Sequence, residues 1–161
     1  MVKVLVKKLD AKVKLPEYKT IGSSGMDLMA FLDSPIKITP NSLELIPTGL
    51  SIAIPEDLEI QIRPRSGLAV KSSISILNTP GTIDSDYRGE LKIILFNHGN
   101  KDFIVNNNDR VAQMVLMPIL KMELEEVDQL PGTLRGSGGF GSTGKWKTFL
   151  IKNLLKDTQD K

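Results

Sequence analysis

Apolar residues in this sequence come in short runs, most of them alternating with polar ones, and proline, glycine or asparagine interrupts the pattern every few positions. Val2, Val4 and Val6 alternate with lysine and leucine, and Ile36-Lys-Ile38, Leu43 to Ile54, Leu58-Glu-Ile-Gln-Ile62, Phe103-Ile-Val105 and Arg110 to Ile119 follow. A period of two sends alternate side chains to opposite faces of an extended chain, so these are strands with one buried face. Their short, regular spacing predicts an all-β sandwich or barrel. The first run reads as an edge or intersubunit strand. At 161 residues the chain is long enough for a single domain with a sizeable core.

The central stretch, Ile76 to Leu95, places Ile- and Leu-rich flanks around Asn78, Pro80, Gly81, Asp84, Ser85, Asp86 and Gly89. These are the residues of a bent connection, and the stretch reads as a hairpin. A turn does not call for a phenol and a guanidinium directly after two acids. Asp84, Asp86, Tyr87 and Arg88 are therefore weighed as a reaction centre against the plainer reading of an Asp-rich turn.

Three further segments carry chemistry. Ile21-Gly-Ser-Ser-Gly-Met-Asp-Leu-Met-Ala30 leads through small residues to Asp27, which either caps a turn or belongs to a site. Arg63-Pro-Arg-Ser-Gly-Leu-Ala69 sets the cation of Arg65, the hydroxyl of Ser66 and the unobstructed backbone of Gly67 side by side. That trio suits a phosphate, because guanidinium forks bind its oxygens in pairs and glycine leaves N–H groups approachable; a solvated turn is the alternative. In Arg110 to Ile119 the amide of Gln113 interrupts an apolar strand, where an unpaired amide costs about 1–3 kcal/mol, so it requires a ligand or backbone partner. The preceding Asn106-Asn-Asn-Asp109 predicts a tight turn with left-handed backbone.

Arg135-Gly-Ser-Gly-Gly-Phe-Gly-Ser-Thr-Gly144 is too glycine-rich to hold a fixed shape unaided. Gly136, Gly138 and Gly141 match the dinucleotide-binding pattern in letter only, since no strand leads in and no βαβ unit follows. Gly139 and Gly144-Lys145 approach a phosphate-binding loop, but Trp146 stands where its Ser or Thr belongs. Arg135, Phe140, Ser142 and Thr143 instead suggest a lid that orders on a planar anionic ligand. Trp146, Phe149, Leu150 and Leu154 fall on one face of a possible short helix, with a frayed tail as the alternative.

Bulk properties narrow the function classes. With 21 Lys plus Arg against 19 Asp plus Glu the net charge is +2, so no general attraction to nucleic acid is expected. There is no cysteine and one histidine, His98, which removes disulfides, thiolate metal sites and histidine clusters, and leaves oxygen ligands of the kind Mg²⁺ takes. Lysines interrupt the apolar N-terminus, so neither signal peptide nor membrane helix is expected, and the reading is a soluble intracellular, cytoplasmic protein.

Five segments, in order, resemble the motifs of the trimeric deoxyuridine triphosphate nucleotidohydrolase (dUTPase) family. They are Ser24-Gly-Met-Asp27-Leu28, Pro64-Arg-Ser-Gly-Leu-Ala69, Gly81-Thr-Ile-Asp-Ser-Asp-Tyr-Arg-Gly89, Asp109-Arg-Val-Ala-Gln113 and Arg135 to Gly144. The resemblance implies an all-β, distorted jelly-roll-type barrel over 1–134, a mobile glycine-rich arm over 135–144 and a tail, 145–161, without assigned role. It implies a homotrimer whose sites are shared, the third motif coming from one subunit, the first, second and fourth from a neighbour, and the arm from the third.

The implied reaction converts dUTP to dUMP and pyrophosphate, keeping uracil out of DNA and supplying dUMP for thymidylate synthesis. Asp84 would act as general base towards a water attacking the α-phosphorus. Gln113 would hold an α-phosphate oxygen, Ser66 an oxygen between the α- and β-phosphates, and Arg65, the Gly67 N–H and Arg135 the outer charge. Mg²⁺ would bridge the phosphates, gripped by Asp27 through water. Backbone groups around Thr82, Ile83 and Lys92, with the Asn78 side chain, would read uracil. Tyr87 would exclude a 2′-hydroxyl, and Phe140, with Gly141 and Ser142, would close over the base and phosphates. Asp86 and Arg88 would be structural, as a charge pair at a subunit contact.

Asn108 stands where the family commonly has glycine and tolerates the same backbone; Ser24 replaces a frequent alanine. A deoxycytidine triphosphate deaminase of the same fold would need a catalytic glutamate in the motif that carries Asp84 and Tyr87 here. An inactive regulatory binding module is the other alternative, against which the intact Asp84, Gln113 and Arg135 stand.

Overall fold

The structure is a computed structural model and describes residues 2–139. The chain divides into two compact units, Met1–Lys121 and Met122–Lys161.

The first unit contains all eleven strands described and one helix. In chain order they are β1 (Leu5–Lys8), β2 (Met26–Met29), β3 (Ile36–Ile38), β4 (Leu43–Pro47), β5 (Leu50–Ala53), β6 (Leu58–Arg63), α1 (Ser66–Ser72), β7 (Ile74–Ile76), β8 (Gly81–Ile83), β9 (Lys92–Asn97), β10 (Phe103–Val105) and β11 (Arg110–Pro118). Every pairing is antiparallel. The ladders form four sheets: β1 with β5, β10 with β3, a four-stranded β2-β11-β6-β8 and a three-stranded β4-β9-β7. They enclose one core in which Leu28, Ile38, Ile46, Leu50, Ile93 and Leu95 are almost wholly inaccessible. The all-β expectation therefore holds, in the form of a jelly-roll-like wrap of separate ladders.

Local sequence explains the breaks between strands. The run Leu43 to Ile54 is two strands in different sheets, because the chain turns at Gly49 with φ of +68°, and a methyl there would lie 2.4 Å from Val13 Cγ2. Only glycine takes that corner without strain. Asn108 adopts φ of +67°, and the Asp109 N–H donates to the Asn106 carbonyl at 3.1 Å, the turn read from the asparagine run.

Three expectations need correction. The flanks of the central stretch do pair, Ile76 opposite Leu95, but β8 within the connection pairs with β6 in another sheet, so this is no simple hairpin. Ser66–Ser72 is a short helix where a turn was read, ending at Ser73 with φ of +55°. The N-terminal run forms β1, an edge strand as read, paired among the described residues with β5 alone, but all four of its residues are exposed where one buried face was expected.

In the second unit, the described residues 122–139 hold no helix or strand. Gly136 N–H donates to the Thr133 carbonyl and hydroxyl, and Arg135 Nε donates to the Gly138 carbonyl at 2.7 Å, so the start of the glycine-rich segment is a compact turn. Leu124, Leu130 and Leu134 are exposed.

Candidate active site

The order of the four-stranded sheet fixes which side chains meet. β11 lies between β2 and β6, and Gln113 stands opposite both Asp27 on β2 and Arg63 on β6. Directly opposed residues share a face, so all three project from the outer side of the sheet. Their intervening neighbours Leu28, Ala112 and Ile62 enter the core. Just past Arg63 the chain leaves the sheet through Pro64 and Arg65 into α1, which carries Ser66 and Gly67 to the same end.

Asp27 is the centre of this cluster. Its Oδ1 accepts from Arg65 Nε at 2.9 Å, and its Oδ2 accepts from Arg110 Nη1 at 3.0 Å. Arg65 Nη1 also donates to the Arg110 carbonyl at 2.9 Å. The Asp27 side chain is 18% exposed, against 49% for Arg110, so the acid lies beneath its partners. Two guanidiniums on one carboxylate leave a net positive charge at this end of the sheet.

The Gln113 amide has the partner its burial requires: Nε2 donates to the Pro64 carbonyl at 3.0 Å. The second hydrogen on that nitrogen remains available. A Cβ on Gly25 would fall 3.0 Å from Gln113 Oε1, so glycine there keeps room for the amide. Ser66 and Gly67 are exposed, and a Cβ on Gly67 would meet nothing within 4 Å. As first-turn residues of α1, both have N–H groups without intrahelical acceptors.

Asp84 is not in this cluster. β8 runs antiparallel to β6 with Ile83 opposite Ile60, which carries Asp84 past Glu59. Arg63 lies four residues further along β6, about 13 Å away at 3.3 Å per residue. Asp84 instead lines an open cleft with Glu56, Glu59, Asp86, Arg88 and Lys121. Thr82 is exposed on β8, and Lys92 opens β9. A Cβ on Gly81 would press on the Asn78 amide at 3.2 Å, so Asn78 folds over the strand start.

Tyr87 curls back over Gly89, where a Cβ would lie 2.3 Å from its hydroxyl, and that hydroxyl donates to the Glu90 carbonyl at 3.1 Å. Within the chain, Arg88 does not pair with Asp86: its Nη1 donates to the Ser85 and Tyr87 carbonyls at 2.6 and 2.9 Å, pinning the turn. Of the remaining sequence candidates, Arg135 is described only within the second unit, and Phe140, Gly141 and Ser142 lie outside the described residues, as does the 145–161 tail.

Arg110 is the member of this cluster that the sequence alone does not single out. The signal that could have found it is a register shift. Ala112 pairs with Leu28, yet Arg110 pairs with Met29, so Val111 is the extra residue of a β-bulge. In an unbroken ladder Arg110 would share the core face of Ala112; the bulge turns it to the face of Asp27. Val111 and Ala112 are consecutive and both buried, a mark of that shift.

Fold and cluster together define a jelly-roll-like β protein with a cationic, anion-receptive end to its main sheet. Comparison with known proteins sharpens this. A family model of dUTPase matches residues 11–144. The deoxyuridine 5'-triphosphate nucleotidohydrolase of Treponema denticola is 53% identical over 137 residues, 85% of this chain and 95% of that protein. That of Rickettsia bellii is 55% identical over 142 residues, 88% and 95% of the two chains. Among solved structures, a Staphylococcus bacteriophage 80alpha dUTPase with dUPNHPP superposes with a TM-score of 0.79 at 25% identity, covering 88% of this chain and 98% of that one. A variant of the phage phi11 dUTPase, described with a structural Mg(II) ion, gives 0.73 at 22%, covering 81% and 99%. The chain belongs to the dUTPase family.

Proposed function

We propose that the protein hydrolyses dUTP to dUMP and pyrophosphate, in active sites completed between the subunits of a homotrimer. One observation supports the shared site above all: the anion-receptive group of Asp27, Arg65, Ser66, Gln113 and Arg110 and the acid Asp84 stand at opposite ends of β6. A second copy that brings its Asp84 against this cluster supplies what one chain lacks.

Asp84 takes a proton from a water as its oxygen attacks the α-phosphorus in line, and the bond from that phosphorus to the bridging oxygen breaks, releasing pyrophosphate. Such a base must lie within hydrogen-bond reach of the water. Gln113 gives its free amide hydrogen to an α-phosphate oxygen. Ser66 donates to the oxygen between the α- and β-phosphates, where charge grows as the bond breaks, and Arg65, the Gly67 N–H and Arg135 hold the outer phosphates.

Uracil is read by backbone groups around Thr82, Ile83 and Lys92 and by the Asn78 amide, with no space for a 5-methyl. Cytosine leaves those polar groups mispaired, the costlier error. Tyr87 lies against the deoxyribose. The segment 135–144 serves as the arm, bringing Phe140, Gly141 and Ser142 over the base and phosphates.

The donor set fits Mg²⁺ in one way only. Among the described residues, no group of three or more His, Cys, Asp or Glu could hold a metal. Both Asp27 oxygens already accept a guanidinium, and the lone pair that each keeps could accept from the water shell of a hydrated ion. When bound, Mg²⁺ neutralises the triphosphate and orders its oxygens.

Among the described residues, no helix is long and apolar enough to cross a membrane. Incubation with Mg²⁺ and either dUTP or dCTP, followed by chromatography of the nucleotides, tests the reading. Release of dUMP and pyrophosphate from dUTP is expected; conversion of dCTP to dUTP would assign the deaminase activity instead.

A further inference from the structure

The β-bulge at Val111 gives Arg110 a place that its strand would otherwise deny it, and the contacts it makes there are specific. Its Nη1 takes one oxygen of Asp27, and its carbonyl takes Nη1 of Arg65, whose Nε holds the other oxygen. Arg65 is therefore fixed at two of its nitrogens by the protein, and both hydrogens of Nη2 with the second of Nη1 are left for a ligand. We infer that Arg110 is a positioning residue for the polyphosphate, acting through Asp27 to aim Arg65.

The argument is electrostatic and geometric. Alone with Arg65, Asp27 would cancel its charge and could turn both oxygens onto one guanidinium, the bidentate arrangement such pairs favour. That would draw the fork inward and consume the edge an anion needs. Arg110 occupies the second oxygen, so Asp27 holds Arg65 through Nε alone and the cluster keeps one positive charge in excess. A half-buried acid with both oxygens engaged also has little rotational freedom. The bulge is the structural feature that makes this possible, since a regular strand would bury the guanidinium in the core.

The inference rests on the reading that Arg65 touches the substrate's phosphates, and the test separates the two. Binding of a non-hydrolysable imido analogue of dUTP with Mg²⁺, and of dUMP, is measured by calorimetry for wild type, R65A, R110A, R110K, D27N and the D27N/R110A pair. Melting temperatures confirm that each is folded. R65A should weaken the analogue and spare dUMP; if it does not, the reading of Arg65 falls. Given that, R110A should weaken the analogue about tenfold, spare dUMP and raise KM with kcat within about threefold. R110K should recover part of the loss, its point charge reaching one oxygen without the fork. In the D27N background, R110A should cost much less than alone, because its route runs through the carboxylate. Unchanged affinity in R110A, an equal loss for dUMP, or full additivity with D27N would each overturn the inference, the last by showing that Arg110 acts without Asp27. R110K keeps the test open should R110A fail to fold.

Discussion

Gly49 shows how little freedom some single positions have. Its backbone is left-handed, and a methyl would meet Val13 at 2.4 Å and the Phe31 ring at 3.1 Å. Gly49→Ala should lose about 2–5 kcal/mol, from the left-handed penalty together with overpacking, measured as a lower midpoint in urea. At Asp84 the expectation is catalytic. It is exposed, and among the described residues only its backbone carbonyl is engaged, by the Tyr87 N–H at 3.2 Å. Asp84→Asn should therefore fold and bind the imido analogue as wild type does, with kcat reduced by about a thousandfold or more; unchanged turnover would remove Asp84 from its role. At this scale the sequence announces residue types and hides their neighbours. A half-buried amide at Gln113 calls for a ligand or backbone partner, and the structure supplies a backbone one, the Pro64 carbonyl. Nothing in the letters Asp27, Arg65 and Arg110 says that three motifs converge on one carboxylate, because that contact depends on strand order and on a bulge.

Elements were legible where period two persists and opaque where the chain changes sheets. β3, β6, β10 and β11 lie where alternation puts them. α1 was hidden because seven residues hold too few turns to show a helical period, and none of its side chains is buried to mark a face. β8 was hidden because its three residues sit inside a stretch of turn formers, and its pairing with β6 is a long-range fact. Another long-range fixture is Asn97 at the end of β9, fully buried among apolar neighbours. Its Nδ2 donates to the Ile38 carbonyl on β3 at 2.9 Å and to the Lys101 carbonyl at 2.8 Å, and its Oδ1 accepts from Gly99 N–H at 2.9 Å. It therefore ties two sheets to the turn that follows β9. Asn97→Leu keeps the branched shape but strands all three groups, and should lose about 2–4 kcal/mol in chemical denaturation. For the glycine-rich segment, truncation before Arg135 should cripple turnover while the sedimentation coefficient still reports a trimer; monomers in ultracentrifugation would contradict this.

At the scale of the molecule, a single chain is, on the proposed reading, one part of a shared site. Among the described residues β1 pairs on one side only and exposes Leu5 and Val6, and Leu120, Leu124, Leu130 and Leu134 are also exposed. The acid lies about four residues of strand away from the groups that would hold the phosphates. A site confined to one chain and a site shared between chains predict opposite outcomes when two inactive variants are mixed. One variant carries Asp84→Asn with its Arg65 and Ser66 intact; the other carries Arg65→Ala and Ser66→Ala with its Asp84 intact. Each homotrimer should be inactive. Co-expressed with different tags and purified as mixed trimers, they should regain activity. In every mixed trimer, of either 2:1 composition, one of the three interfaces joins an intact acid to an intact phosphate position, so about a third of the sites are whole. A site within one chain would place a defect in every copy, and mixing would restore nothing. The readout is dUMP released per mole of trimer, with the separate homotrimers, blended after purification without exchange, as the baseline.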